Sequence, residues 1–148
     1  MIKLVDLIKE IEEGIEDVEF VSPEETDVGY LQDLQRIERE TAIHVSRWKH
    51  LSVLAIKSGK CVGALYDGTT ISNNKNIYGF DIVVDKQERR QGIGAKLIDI
   101  GISTYEDLPS SEEYMLVLDV VNAHLVRHLA GRGLKIIASA RGHIIMSF

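Results

Sequence analysis

The chain has 148 residues, 45% apolar and 27% charged, with a formal net charge of −6. That is the size and mix of one soluble globular domain, so a single domain over residues 1–148 is expected. One cysteine excludes a disulfide framework and a multi-cysteine zinc site, and two prolines with 12 glycines exclude a collagen-like or proline-rich chain. No apolar run approaches the ~20 residues of a membrane helix. Asp6 interrupts the apolar start that a signal peptide would need. A cytoplasmic protein with no membrane partner is therefore expected.

The charge is uneven. Residues 1–40 carry four Lys/Arg and 13 Asp/Glu, a balance of −9, and residues 41–148 carry a balance of +3. An acidic chain is unsuited to a nucleic-acid backbone, which needs a basic field. A small anionic ligand on the later part and a cationic partner near the acidic front are both compatible with this balance.

Leu4, Val5, Ile8, Ile11 and Ile15 recur at helical spacing, which predicts an amphipathic helix over 2–14. Ser22-Pro23-Glu24-Glu25 reads as a second helix start, with Ser22 as cap and Pro23 in the first turn. That helix is expected to run through Leu31, Leu34 and Ile37 toward Trp48. The period then changes. Residues 51–57 and 61–66 read as a β-hairpin, Asp67-Gly68 as a turn, and 72–76 as another turn.

Ile77–Val84 reads as a strand, followed by a polar loop that ends in glycines. A helix over 92–105 offers Ala95, Leu97, Ile98 and Ile102 to a core. The nearly all-apolar run 114–121 reads as a strand covered on both faces. Asn122 can cap the next helix, which Gly131 and Gly133 stop, and a hairpin over 134–148 ends the chain. The order implies an α/β domain with a mixed sheet. The apolar final strand could pair with a second copy as a homodimer.

The loop Arg89-Arg90-Gln91-Gly92-Ile93-Gly94 lies between a strand and a helix. The first N–H groups of a helix have no internal partners and carry the positive end of its dipole. Glycines let a ligand approach the backbone closely, and Lys86, Arg89, Arg90 and Lys96 add positive charge. The chemistry points to a diphosphate or a molecule containing one. The blander reading is a tight turn with a solvated arginine pair. The missing third glycine disfavours a dinucleotide fingerprint, and the missing G-K-[ST] excludes a Walker loop.

The run from Val84 to Ile98 resembles motif A of the GNAT N-acyltransferase superfamily, written Q/R-x-x-G-x-G/A and met here by Arg89, Gly92 and Gly94. Downstream, Asn122-x-x-Leu125-x-x-His128-Leu129, then Gly133-Leu134, is similar to that family's N-x-x-A-x-x-L-Y and G-F stretch. The resemblance implies a GNAT-like fold: a twisted mixed sheet whose two parallel strands splay, flanked by helices. It implies an acetyl-CoA-dependent N-acetyltransferase acting on a primary amine of a small molecule or peptide. It further implies that the amides of Arg90, Gln91, Gly92, Ile93, Gly94 and Ala95 wrap the pyrophosphate, with Arg89 leading. The edge of Ile82, Val83 and Val84 would pair with the pantetheine arm, the N–H of Ile82 would face the thioester oxygen, and Asn122 would contact the cofactor.

The sequence also departs from that family. The tyrosine that often protonates the leaving thiolate falls at Leu129, with His128 adjacent on another helix face. The position of the glutamate base that some members carry falls at Tyr78. Asp81 is the only acid on that strand, and alternation sends it to the opposite face from Tyr78. Tyr78, Asp81 and His128 are the catalytic candidates, and none is compelling by residue type. A non-catalytic CoA-binding module and a partner-binding domain with an acidic docking front are the alternatives. Cys61 reads as a buried thiol, and Trp48 and Tyr30 as core or as lining of the acceptor pocket. His124 and His128 are spaced i, i+4, but no third ligand accompanies them, so no metal is expected.

Overall fold

The computed structural model describes residues 17–41, 50–89, 91–109, 113–120 and 123–148. The expected helix over 2–14, His44, Trp48, Arg90, Val121, Asn122 and the side chain of His124 lie outside the described residues.

The strands are β1 (Val18–Val21), β2 (His50–Lys57), β3 (Lys60–Ser72), β4 (Lys75–Val84), β5 (Tyr114–Val120), β6 (Lys135–Ala140) and β7 (His143–Ser147). The helices are α1 (Leu31–Thr41), α2 (Ile93–Glu106) and α3 (Ala123–Gly131). The sheet order is β1-β2-β3-β4-β5-β7-β6. Neighbours are antiparallel except β4 and β5, which run parallel. Three hairpin turns have two successive residues at positive φ: Ser58-Gly59, Asn73-Asn74 and Arg141-Gly142. Such turns match the right-handed twist of the flanking strands.

Three expectations are corrected. The start signal at Ser22-Pro23 makes only a single 3-10 turn, Pro23–Glu25, and the Ser22 side chain caps nothing. The chain then extends, and α1 begins at Leu31. Asp67-Gly68 is not a turn but part of the 13-residue β3. The reason is chemical: the Tyr78 hydroxyl donates to Asp67 Oδ2 at 2.8 Å, so a buried carboxylate is satisfied inside the ladder. The strand over 114–120 is fully buried on one face only, through Leu116, Leu118 and Val120. β1 had no separate signal in the sequence. Its four residues become a strand by pairing with β2, from Val18 opposite Lys57 to Val21 opposite Leu54.

The sheet is covered on both faces of its first half. Leu34 and Ile37 of α1 pack on Leu54, Ile56, Cys61, Ala64 and Val83. Ile93, Leu97, Ile98 and Ile102 of α2 join Ala55, Leu65, Tyr78 and Phe80 in the main core. α2 approaches the sheet closely at Gly101, where an added Cβ would stand 2.5–2.7 Å from three atoms of the Phe80 ring. Among the described residues, no helix is long and apolar enough to cross a membrane.

Candidate active site

β4 and β5 pair over three residues only: Asn76 with Tyr114, Ile77 with Met115, and Tyr78 with Leu116. Beyond that point β4 stays fully paired with β3 through Val84, while β5 pairs with β7 from Val117 onward. Among the described residues, β5 therefore offers β4 no ladder pairing beyond Tyr78. Backbone groups on a strand edge that its neighbour leaves are available to water or to a ligand. Ile82, Val83 and Val84 all lie on this open stretch.

The open stretch leads directly into the glycine loop. The Asp85 N–H donates to the Val62 carbonyl at 2.8 Å, which carries the β3–β4 pairing one residue beyond Val84. Lys86–Glu88 form a 3-10 turn whose first free N–H, that of Gln87, donates to Asp85 Oδ1 at 3.1 Å. Gly92 then takes φ +83°, a left-handed conformation that favours glycine, and α2 starts at Ile93. The first α-helical bond at this end runs from the Lys96 N–H to the Gly92 carbonyl at 3.0 Å. The N–H groups of Ile93, Gly94 and Ala95 thus have no intrahelical partner, as an anion site requires. A Cβ on Gly94 would make ordinary contact with Ile82 and Val84, 3.5 and 3.6 Å away, so the packing of helix on strand does not itself require a glycine there.

Both carboxylates of the loop are held by cations from other elements. Arg36 of α1 donates from Nη2 to Asp85 Oδ2 at 2.8 Å, and Asp85 is buried. The Arg36 guanidinium holds the Asp85 carboxyl below its ordinary range, aided by the Gln87 amide. Lys57, the last residue of β2, donates from Nζ to Glu88 Oε2 at 2.8 Å and to Gln91 Oε1 at 2.9 Å. Neither Arg36 nor Lys57 was singled out by any sequence motif.

The catalytic candidates separate. Tyr78 is buried at the last paired position of β4, its ring stacked on Tyr105 with centroids 6.2 Å apart. Burial first, then its bond to Asp67, raises the pKa of its phenol. Its hydroxyl is engaged by Asp67 of β3 and lies beside the Thr104 hydroxyl of α2. Asp81 lies on the opposite face, directly across the ladder from Tyr66 and half-buried. The Tyr66 hydroxyl donates to Glu38 Oε1 of α1 at 3.3 Å, so Asp81, Tyr66 and Glu38 share the α1 side of the sheet at the open stretch. His128 is engaged elsewhere: its Nε2 is 3.1 Å from Asp99 Oδ1 of α2, and Arg132 Nε is 3.5 Å from the same oxygen. Leu129 is buried in the main core. Cys61 is fully buried, and burial pushes its thiol up to about 11. Among the described residues, no three His, Cys, Asp or Glu side chains gather in a way that could hold a metal ion.

The family model described as "Acetyltransferase (GNAT) family" matches residues 13–130. The chain belongs to the GNAT acetyltransferase family. Solved members share its fold at low identity. One is similar over 89% of this chain and 98% of its own, at 14% identity and a TM-score of 0.61: Naa50 of Arabidopsis thaliana, solved with the bisubstrate analogue CoA-Ac-MVNAL. Another is yncA of Salmonella typhimurium with its cofactor acetyl-CoA, at 12% identity, a TM-score of 0.66 and 88% and 92% coverage. A third is a phosphinothricin acetyltransferase from Sinorhizobium meliloti in complex with acetyl-CoA, at 12% identity, a TM-score of 0.64 and 89% and 88% coverage. At these identities the likeness concerns the fold. No curated protein matches the sequence.

Proposed function

We propose that this chain is a cytoplasmic, single-domain N-acetyltransferase that uses acetyl-CoA to acetylate a primary amine of a small molecule or peptide. The observation that carries the reading is the opening between β4 and β5, which begins at Gly79 and leads straight into the free amides of Ile93, Gly94 and Ala95. The two features together suit a long ligand with a diphosphate at one end and an amide-bearing arm at the other. The structural relatives solved with acetyl-CoA or a CoA analogue support that identity for the ligand.

Acetyl-CoA would supply an acetyl group activated as a thioester. In this reading the loop from Arg89 to Ala95 holds the pyrophosphate, and Asn122 contributes a further contact. The open edge at Ile82, Val83 and Val84 pairs with the pantetheine arm. The Ile82 N–H is our assignment for the thioester oxygen, which gains negative charge as nitrogen attacks the carbonyl carbon. The C–S bond then breaks, and the proton that the attacking nitrogen sheds passes to water and on to the departing thiolate. The thiolate leaves without a strong acid, since a free thiol has a pKa of ~8.5. The acceptor enters from the α1 side, where Glu38 and Asp81 flank Tyr66 and favour a cationic amine. Much of the rate then comes from positioning.

A second reading, a CoA-binding module without catalysis, draws on Leu129 being packed in the core and on the Tyr78 hydroxyl being bound to Asp67. One experiment separates the two. Thiol release from acetyl-CoA is followed against a panel of polyamines, aminoglycosides and lysine-bearing peptides, and the thermal midpoint is measured with and without CoA. Release with any amine supports the enzyme. A CoA-dependent rise in midpoint without release supports the module, because a ligand that binds only the native state must stabilise it. Neither effect would refute both.

A further inference from the structure

The phosphate loop contains two carboxylates, Asp85 and Glu88, among the cations Lys86, Arg89 and Arg90. A carboxylate beside a diphosphate opposes its binding unless something neutralises it. Asp85 is answered by Arg36 from α1, and Glu88 by Lys57 from β2. Lys57 does more than pair one charge. Its ammonium bridges Glu88 and Gln91, which lie on either side of the arginine pair and directly before Gly92. Two of its three protons are committed inside the protein.

The backbone of Lys57 is itself fixed. It pairs with Val18 of β1 on one side and with Lys60 of β3 on the other, immediately before the tight Ser58-Gly59 turn. Its side chain is about three-quarters buried, and so is that of Glu88. A cation anchored in three strands therefore ties down a loop that has no strand or α-helix of its own.

We infer that Lys57 is a positioning residue for the diphosphate of acetyl-CoA: it draws Glu88 aside, so that the loop presents its backbone amides with no free carboxylate beside them. The inference rests on the acyl-transfer reading above. It assigns Lys57 an indirect role and makes no contact between its ammonium and the phosphate.

The test is CoA binding by titration calorimetry for wild type, Lys57→Met, Glu88→Gln and the double variant. Lys57→Met is expected to weaken CoA about tenfold at low salt, since it frees one negative charge near a ligand that carries several. Glu88→Gln is expected to bind at least as well as wild type. The double variant is expected to return to within about threefold of wild type, because the charge that Lys57 answers is gone. In ~1 M salt, where screening acts within ~3 Å, the Lys57→Met deficit should shrink markedly. A purely structural defect would not respond that way. Lys57→Gln and a thermal midpoint for each variant guard against misfolding. Wild-type affinity in a folded Lys57→Met overturns the inference. So does a double variant as weak as Lys57→Met, which would mean that Lys57 acts through the ligand or through Gln91 and not by answering Glu88. If wild type itself does not bind CoA, the acetyl-CoA reading fails and takes this inference with it.

Discussion

Gly101→Ala is the most direct test of how α2 is seated on β4. At an exposed helix position, replacing glycine by alanine gains about 1 kcal/mol through helix propensity. Here the new methyl carbon would lie 2.5–2.7 Å from three carbons of the Phe80 ring. Unstrained carbon contacts lie at about 3.5–4.0 Å, so helix and ring must separate by about 1 Å. Phe80 is buried among Tyr78 and the α2 side chains and has no open space to enter. Overpacking of this kind costs about 1–3 kcal/mol, and the rigid ring places it at the upper end. The net effect is a loss of about 1–2 kcal/mol. For a chain of this size that lowers the thermal midpoint by roughly 3–8 °C. Phe80 stands on the open stretch of β4, and α2 carries the free amides at its first turn. The separation should therefore weaken CoA as well. The assay is a melting curve with and without CoA. Gly101→Ala combined with Phe80→Leu should recover stability relative to the sum of the single changes. A Gly101→Ala variant as stable as wild type, or more stable, would refute the reasoning, because propensity would then have outweighed a contact that the packing does not in fact enforce.

Gly92→Glu should abolish CoA binding, since φ +83° strains any side chain there and the new carboxylate faces the phosphate site. Gly94→Ala should fold normally, its methyl making ordinary contact with Ile82 and Val84 in a melting experiment. Leu129→Tyr should lower stability by about 1–3 kcal/mol, because a larger side chain with a hydroxyl enters a filled core; an unchanged denaturation midpoint would place Leu129 at the surface instead. A carboxyl with a lowered folded-state pKa stabilises above its ordinary range and loses that contribution as pH falls. The midpoint should thus drop as pH goes below ~4, and less steeply in Asp85→Asn than in wild type. Cys61, with its thiol pushed up to about 11 and fully buried, should resist thiol reagents at pH 8 until the protein is unfolded.

Local pattern carried the reading of the fold where the interactions are themselves local. The hairpin at Ser58-Gly59, the Asn73-Asn74 turn and α2 each rest on a short stretch whose own chemistry decides the outcome. The splay of β4 from β5 was legible only through resemblance, because no residue in either strand announces that its neighbour departs after Tyr78. Asp67-Gly68 misled for a physical reason. An aspartate followed by glycine is ordinary turn chemistry, and only a hydroxyl 11 residues away makes the carboxylate welcome in a strand. Ser22-Pro23 misled in a similar way: its cap and proline can begin a turn, but Thr26 accepts the Val28 N–H and the chain extends before α1 starts.

The candidate site divides along the same line. Gly92 and the arginines announce a phosphate loop because backbone amides and nearby charge are properties of one segment. The residues that make that segment usable are far off in sequence: Arg36 lies 49 positions from Asp85, and Lys57 lies 31 and 34 positions from Glu88 and Gln91. Taken alone, the loop is cationic but compromised by two acids. Folded, each acid is answered by a different layer, one by the helix on the sheet and one by the sheet itself. In the proposed acyl-transfer reading, the anion site is therefore a property of the tertiary structure. If the two outside cations are what free the loop for a diphosphate, a peptide of residues 85–98 should have no measurable affinity for CoA at concentrations where the whole chain is saturated. Comparable affinity in the peptide would mean that the glycines and arginines suffice, and that Arg36 and Lys57 only stabilise the fold.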